Sequence, residues 1–474
     1  MRQLTTKTKL FYGLGFSAQG IKDGLFQLFL FFYFSQVLGL DPALAGLTTF
    51  IALLFDAVSD PVVGVLSDNW KSAKWGRRHP FMFFSAIPMG VSIYLLFLPP
   101  SGMGQMGLFW WLTIFTILVR LSLTLFIVPG MSLGAELTTD YEERTSVTSY
   151  RVMFSGFIPA FIIIFGLLFF FTPKPGTDNG MMNADAYPAF ALLCGGLIVL
   201  SILISTYGTR NTIPHLPQSH GESERANLRE LLRRFAAAFT LKSYRTLVLF
   251  IMAVYIAIGI GVVFTPYFIN YYFAWSEKEL ALLPISSGVG GLLSLMVAPF
   301  LGKRLDKRRG VILSTFLIAT FFSLPYMLKV LGLLPGDKDP FTLPFFILCA
   351  TIGYTFLFVV FSLTNSMMAD VADDYDLLTG KREEGLFFST MSFAYKCTVG
   401  IGYLFAGILL KLIAFPTQVS PGEVPSDKLE WLGIIGGPIL FVTYAASIFW
   451  ILSYPITKSR YQEIRQQLQG RLTS

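Results

Sequence analysis

The chain contains 474 residues, 54% of them hydrophobic and 14% charged, and carries a formal net charge of +7. A composition this apolar excludes a soluble enzyme. The three cysteines (Cys194, Cys349 and Cys397) all lie in apolar segments, so free buried thiols are expected rather than a disulfide framework. Apolar stretches long enough to span a bilayer recur along the whole chain, and the sequence therefore predicts an all-α polytopic membrane protein.

The apolar stretches predict twelve transmembrane helices in two halves of six. The polar segment 209–243 is the expected boundary, a cytoplasmic central loop between an N-terminal six-helix bundle at 1–208 and a C-terminal six-helix bundle at 244–456, with a cytoplasmic tail at 457–474. Within the loop, the basic stretch 222–234 has a pattern that suits either a helix lying on anionic lipid or a plain linker. The predicted spans are 9–38, 43–67, 81–98, 107–136, 148–171, 187–208, 244–273, 278–302, 311–333, 341–370, 386–412 and 431–456.

The distribution of lysine and arginine predicts the orientation. Loops that lead from an odd-numbered to an even-numbered span are short and poor in basic residues, whereas the tails and the other loops hold most of them, as at Arg77 and Arg78. By the positive-inside rule, both termini are expected in the cytoplasm, on a multi-pass protein of the plasma (inner) membrane. The basic excess is therefore topological, and no nucleic-acid partner is expected.

Two different loops recur at the same place in each half. Residues 64–68 (GVLSD) after span 2 match 302–306 (GKRLD) after span 8, and 135–141 (AELTTDY) after span 4 match 369–375 (ADVADDY) after span 10. A parallel repeat of this kind suits a transporter whose halves rock around a central site. Ion pairs could hold its inward side shut, and the alternative is loop charge with no gating role. The predicted cytoplasmic gate residues are Asp68, Arg77, Arg78, Asp140, Asp306, Arg308 and Asp374.

Two carboxylates lie inside span 2. Asp56 and Asp60 are four residues apart and share one helix face, and each costs about 2.5–3.5 kcal/mol in hydrocarbon unless it meets a partner. With Ser59, and with Thr124 of span 4, they offer the oxygen ligands that a hard monovalent cation prefers. The sequence predicts a cation site here, for sodium first, with a proton or lithium as alternative ions. The alternative without a transport role is a purely structural hydrogen-bond cluster. No other metal or cofactor is expected.

Further charges lie in other spans and must largely meet one another or a solute. The excess of bases over acids suits an anionic solute such as a uronide, because guanidinium groups pair well with carboxylates. For Arg120 of span 4, neutralisation of the two span-2 carboxylates is the equal alternative. These further charged residues are Lys22, Asp23, Arg120, Arg151 and Lys396.

The motifs identify a family. The chain resembles the glycoside–pentoside–hexuronide:cation symporters of the major facilitator superfamily, the family of melibiose permease. The resemblance implies the major facilitator fold, a sodium site at the four residues named above, sugar binding by Asp23 and Arg151, and a link between the two sites through Lys396. The matching segments are 20–23 (GIKD), 55–64 (FDAVSDPVVG), 75–78 (WGRR), 150–151 (YR), 369–375 (ADVADDY) and 381–389 (KREEGLFFS), with Lys396 beyond.

One departure concerns the solute. Melibiose-type proteins carry an acidic and an aromatic sugar ligand around a proline in span 4, whereas Ile127 and Met131 flank Pro129 here, so the galactoside clamp is missing. Arg120 lies seven residues before Ile127 on the same face. Residues 370–396 also resemble the vertebrate sodium-dependent lysophospholipid transporters, which keeps an anionic amphiphile as an alternative solute.

The expected function is cation-coupled symport of a sugar or glycoside, including an acidic one, by a monomer that alternates access within the bilayer. Sodium-coupled transport of an amphiphile, proton-coupled sugar symport, and a sensor or scaffold without transport are the alternatives. No enzyme is expected: the pattern 130–134 (GMSLG) matches a nucleophile elbow, but it lies in an apolar helical run rather than after a strand. The binding residues expected for the solute are Asp23, Lys22, Arg120, Arg151 and Lys396.

Overall fold

A computed structural model describes residues 4–70, 72, 75–138, 140–173, 179–216, 238–380 and 384–473. Within these ranges the chain is helical and contains no strand. Eleven of the described helices are long and apolar enough to cross a membrane. The predicted all-α polytopic architecture is therefore confirmed, while the stretch 222–234, expected to be either a surface helix or a plain linker, lies outside the described residues.

The first predicted span is a broken helix. Helix α1 (Thr6–Gly15) ends at Phe16, α2 (Ser17–Gly24) follows, and the chain continues in π-helical turns at Leu25–Leu30 and Tyr33–Val37. This segment is not among the eleven long helices because its regular α-helical pieces are short. Short π-helical insertions are often found at functional sites.

The remaining long helices follow the predicted spans, with extensions at ends that the sequence predicts to be cytoplasmic. The helix of span 5 begins at Tyr141 rather than at 148, and that of span 10 ends at Thr379 rather than at 370. The first half contains α3 (Pro42–Asn69), α4 (His79–Leu96), α5 (Gln105–Glu136), α6 (Tyr141–Phe169) and α7 (Ala186–Gly208). The second contains α8 (Lys242–Tyr267), α9 (Glu277–Leu280), α10 (Leu283–Arg304), α11 (Lys307–Val330), α12 (Thr342–Thr379), α13 (Glu384–Leu412), α14 (Ser426–Ile434), α15 (Leu440–Ile451) and α16 (Lys458–Thr473).

The helices form two compact units. Unit 1 comprises Met1–Ala226 with Ser276–Ala281 and Gly407–Glu423, and unit 2 comprises Asn227–Trp275, Leu282–Ala406 and Val424–Ser474. In unit 1, α5 packs on α3 and α4, and α7 packs on α1 and α4. In unit 2, α12 packs on α10 and α11, and α15 packs on α8 and α11. The same neighbours recur, as a parallel repeat requires.

The repeat extends to a turn that the sequence does not reveal. At 33–40, the amide of Leu38 donates to the carbonyl of Tyr33 (2.9 Å) and the amide of Leu40 to that of Phe34 (2.8 Å). At 268–275, the equivalent bonds run from Phe273 to Phe268 (2.8 Å) and from Trp275 to Ile269 (3.1 Å). Each turn needs one residue with positive φ, which is Gly39 (75°) in the first half and Ala274 (51°) in the second. The two chain ends of spans 1 and 7 thus share one backbone conformation despite different residues.

Candidate functional site

Helix α3 holds the two predicted cation-binding carboxylates. It starts at a firm N-cap, where the Asp41 carboxylate accepts a hydrogen bond from the amide of Ala43 (2.8 Å). Burial alone would raise the pKa of Asp41, but hydrogen bonds from Lys411 and from the capped amides hold that pKa below its usual value. Further along, Pro61 lies inside the helix and removes one amide donor, which frees a carbonyl one turn back, near the acids.

The hydroxyl of Thr124 joins the two carboxylates. Its Oγ1 lies 3.0 Å from Asp56 Oδ1 and 2.9 Å from Asp60 Oδ1. The Asp56 and Thr124 residues are buried, with 8% and 4% of their surface exposed. A hydroxyl donates only one proton, so it can satisfy only one carboxylate at a time. The second contact is favourable when a proton or a metal cation neutralises that carboxylate.

Ser59 lies beside this group but bonds to the backbone. Its hydroxyl is buried and donates to the carbonyl of Asp56 at 3.2 Å, which leaves oxygen lone pairs as its remaining ligand capacity. Among the described residues, no three His, Cys, Asp or Glu side chains converge in a metal-binding cluster. The oxygen donors of two carboxylates and two hydroxyls instead have the chemistry of a site for one hard monovalent cation.

Arg120 contacts the other oxygen of Asp56. Its Nη1 lies 3.4 Å from Asp56 Oδ2, and the guanidinium carbon lies 5.9 Å from the centre of the Phe26 ring. The Nε of Arg120 is buried and has no hydrogen-bond partner within the described part of the chain. The contact with Asp56 agrees with the neutralising role considered from the sequence, while part of the donor capacity of the guanidinium stays unused.

Lys22 and Asp23 form an ion pair on α2. Lys22 is buried, and its Nζ also lies 5.5 Å from the centre of the Phe26 ring. The α2 helix approaches α6 closely here, since a Cβ added at Gly24 would lie 2.9 Å from the carbonyl oxygen of Pro159. The aromatic residue between Lys22 and Arg120 was not predicted; its only sequence signal is a position four residues after Lys22, one helical turn away.

The other two predicted solute-binding residues, Arg151 and Lys396, lie on α6 and α13. Arg151 is half-buried on α6 and lies 5.8 Å from the ring centre of Phe16, the residue at which the first span breaks. Lys396 lies on α13 in unit 2 and is half-buried. At the missing galactoside clamp, Ile127 is half-buried and Met131 is 48% exposed.

Ion pairs connect helix ends within unit 1. Arg78, which is 4% exposed, pairs with Asp68 and, at 2.9 Å, with Glu136. Arg77 also contacts Glu136, at 2.8 Å. The predicted gate residues Asp68, Arg77 and Arg78 thus come together around Glu136, an acceptor that the sequence motif contains but that was not predicted as a site residue.

The equivalent ends of unit 2 use other residues. Lys307 pairs with Asp370 at 2.6 Å, and Arg465 lies 3.9 Å from Asp373. Asp370 corresponds to Glu136 in the repeat, so each unit ties one acid at this position to a base. All these pairs join residues of the same unit, and a gating role stays a prediction.

The remaining gate residues lie at helix ends. Asp140 accepts from the amide of Glu143 (2.9 Å) at the start of α6, and Asp306 accepts from the amide of Arg308 (3.3 Å) at the start of α11. The side chain of Arg308 forms no ion pair with any residue that the structure describes. Finally, Asp374 accepts from the hydroxyl of Ser243 at 3.0 Å.

Comparison with known proteins supports the fold and the family. A glucuronide carrier protein homolog of Escherichia coli strain K12 is 25% identical, and the alignment covers 99% of this chain and 97% of that protein. The isoprimeverose transporter of Lactiplantibacillus pentosus is 23% identical, over 94% of this chain and 88% of that one. The crystal structure of the nucleoside transporter NupG has the same fold, with a TM-score of 0.60 at 15% identity over 95% of this chain and 98% of that chain.

These relatives and this fold are those of transporters, not of enzymes. A family model described as "MFS/sugar transport protein" matches residues 11–458. The family resemblance seen in the motifs is thereby confirmed, and the chain belongs to the MFS/sugar transport protein family of the major facilitator superfamily.

Proposed function

We propose that this protein is a secondary active transporter that couples a monovalent cation, sodium first, to the symport of a sugar or glycoside. It acts as a monomer by alternating access in a plasma (inner) membrane, with both termini in the cytoplasm. The family supports sugar transport, and the named substrates of the relatives, isoprimeverose and glucuronide, support a glycoside. The observation that carries the cation site is the Thr124 hydroxyl between two carboxylates.

The cation binds between Asp56 and Asp60, with the hydroxyls of Thr124 and Ser59 as further ligands. Two carboxylates that share one hydroxyl repel each other, and a bound cation removes that repulsion. The gain is large inside a membrane, where unpaired charge is costly. A proton on one carboxylate would also relieve the repulsion, so the ion must be identified by experiment. The broken first span and the pair Lys22–Asp23 then take the solute with Arg151, while the solute role of Lys396 in unit 2 stays a prediction from the sequence.

Solute and cation assist each other by linkage. If the cation orders the solute residues, the solute tightens cation binding by the same factor, typically about 5–150-fold. An acidic sugar is the favoured solute class, because the predicted binding residues are mostly basic. The glucuronide named for one relative points the same way.

Thermal unfolding of the purified protein tests the cation site. Melting curves are measured in sodium, lithium and choline chloride and over a pH series, for the wild type, Asp56→Asn, Asp60→Asn and a control, Asp427→Asn. Asp427 is an exposed acid whose partner is the neighbouring Lys428. We expect sodium to raise the melting temperature of the wild type and the control, but not of the two site variants.

Two outcomes contradict the proposal in different ways. If sodium stabilises Asp56→Asn and Asp60→Asn as well as it stabilises the wild type, the cation does not bind at these carboxylates. If sodium and lithium do not stabilise the wild type, and its response to pH is diminished in Asp56→Asn and Asp60→Asn, the ion that binds at these carboxylates is a proton. Uptake by proteoliposomes under an imposed sodium gradient then distinguishes a transporter from a scaffold, since a scaffold accumulates no glycoside.

A further inference from the structure

Asp56 is shared between two groups of opposite kinds. One of its oxygens faces the Thr124 hydroxyl at 3.0 Å, and the other faces Arg120 Nη1 at 3.4 Å. A charge-assisted hydrogen bond normally measures about 2.7–2.9 Å, so the contact with Arg120 is a loose one. Arg120 and Thr124 lie four residues apart on α5 and therefore occupy the same helix face. A cation bound beside Thr124 would compete with the guanidinium for Asp56.

The guanidinium of Arg120 has an unused hydrogen-bond donor and a second contact besides Asp56. Its Nε is buried without a hydrogen-bond partner in the described ranges, as is the hydroxyl of Thr116, one turn earlier on α5 and 1% exposed. The guanidinium also lies against the ring of Phe26, which Lys22 contacts from α2. If Arg120 left Asp56, it could remain against this aromatic ring, on the side of the pair Lys22–Asp23.

The charges of the site define what the cation changes. Without a bound ion, the formal charges of the membrane-embedded residues of unit 1 discussed above cancel, and the excess of bases noted from the sequence is Lys396 of unit 2. A monovalent cation leaves one positive charge in excess, and a solute with a single carboxylate restores neutrality. The residues in this sum are Lys22, Arg120, Arg151, Asp23, Asp56 and Asp60.

We propose that Arg120 is a displaceable counter-ion that couples cation binding to recognition of an acidic solute. Without cation, its guanidinium neutralises Asp56. Binding of the cation at Asp56, Asp60 and Thr124 displaces it, and its free donors then pair with the solute carboxylate. This assignment rests on the proposed symport function and adds to it a specificity-determining residue. Arg120 is thus neither purely structural nor purely a solute ligand, but alternates between the two partners.

The experiment compares Arg120→Gln, Arg120→Lys and the wild type, with Arg460→Gln as a control at an exposed arginine that pairs with Glu463. Sodium titrations of thermal stability are recorded without solute, with methyl β-D-glucoside and with methyl β-D-glucuronide. These two glycosides differ only in the group at C6. We expect Arg120→Gln to lower the sodium concentration for half-maximal stabilisation about five- to tenfold, because the competing cation is gone, and to abolish the preference for the glucuronide.

Arg120→Lys keeps the charge but lacks the planar fork. It should titrate with sodium within about twofold of the wild type and still lose much of the glucuronide preference. A half-maximal sodium concentration for Arg120→Gln that equals or exceeds that of the wild type would refute the competition. An undiminished glucuronide preference in that variant would refute the solute role.

The wild type alone also tests the assignment if Arg120→Gln does not fold. The glucuronide should then lower the half-maximal sodium concentration more than the matched glucoside does, and an equal or smaller effect overturns the proposal. A wild type that sodium does not stabilise contradicts the proposed cation coupling itself. A wild type that responds normally, beside an Arg120→Gln protein with identical titrations, contradicts only the role of Arg120.

Discussion

Replacing Thr124 by valine isolates the contribution of one hydroxyl to the candidate cation site. The two side chains have nearly the same shape, and Thr124 is buried, so the packing of α5 against α3 should change little. The substitution removes the group that lies between Asp56 and Asp60. Thr124→Ser is the matched control, because it keeps the hydroxyl and loses only a methyl group.

The expected magnitude follows from the two contacts. Only one of the distances to Asp56 and Asp60, 3.0 and 2.9 Å, corresponds to a donated proton at any moment, and a hydrogen bond to a charged group contributes about 1.5–3 kcal/mol. When the cation is bound, the same oxygen is one of its ligands. The proton of the hydroxyl can still donate to a carboxylate in that state, so the hydrogen bond is lost from both states and only the loss of the ligand changes the affinity. If the ligand contributes about as much as the hydrogen bond, sodium should bind roughly 10–100-fold more weakly, since every 1.4 kcal/mol corresponds to about tenfold.

The assay is the half-maximal sodium concentration for thermal stabilisation, measured for Thr124→Val, Thr124→Ser and the wild type in the same detergent. We expect the serine variant to remain within about threefold of the wild type and the valine variant to shift by at least tenfold. A valine variant that binds sodium as the wild type does would show that the hydroxyl is not a ligand. Equal weakening in both variants would point to the methyl group and to packing instead.

Two further predictions concern stability. Ala274→Gly should stabilise the protein by about 0.5–1 kcal/mol, because alanine is strained at a φ of 51°. Gly39→Ala in the equivalent turn should destabilise it at least as much, and equal melting temperatures for the wild type and both variants would contradict this. Arg78→Gln should lower the free energy of unfolding by about 3 kcal/mol, because Asp68 and Glu136 both lose a buried partner. Arg77→Gln should lower it clearly less, because Arg78 still contacts Glu136, and equal losses in chemical unfolding would contradict this reasoning.

Much of the fold could be predicted because apolar length and loop charge report directly on membrane spans. The long helices α3, α4, α5 and α7 fall close to their predicted bounds for that reason. Hydrophobicity says nothing about whether a helix closes its hydrogen bonds over four residues or five. The break at Phe16 and the π-helical turns of Leu25–Leu30 and Tyr33–Val37 were therefore not predicted. The extension of α12 to Thr379 was missed because its last turns are polar.

The site was predictable where spacing along one helix decides proximity. Asp56 and Asp60 are four residues apart on one helix and therefore had to share a face. Their contact with Thr124 of the neighbouring helix was expected because a hard cation needs several oxygen ligands. The position of Phe26 could not be anticipated, since one phenylalanine among 47 carries no signal of its own. Glu136 was overlooked because the basic residues that pair with it come from another loop, and sequence separation hides such pairs.

The two halves can be compared position by position through their matching loops. Pro61 of α3 then corresponds to Pro299 of α10, so a proline at this point of the helix is present in both halves. The charged side chains of the membrane interior are not repeated in the second half. The positions of Asp56, Asp60, Arg120 and Thr124 correspond to Ser294, Ala298, Tyr354 and Phe358.

This difference indicates which parts of the duplicated bundle serve the fold and which serve coupling. An acid tied to a base at equivalent helix ends occurs in both units, as Glu136 with Arg78 and as Asp370 with Lys307, which is expected of a contact that each bundle needs for its own stability. Charges within the membrane carry a cost that only a partner or a task can offset. In the second unit the equivalent positions hold one serine and otherwise apolar or aromatic side chains, which cannot bind a bare cation. The ion site that we propose in the first half, with Arg120 as its displaceable counter-ion, would therefore explain why the repeat is symmetric in its helices and asymmetric in these charges.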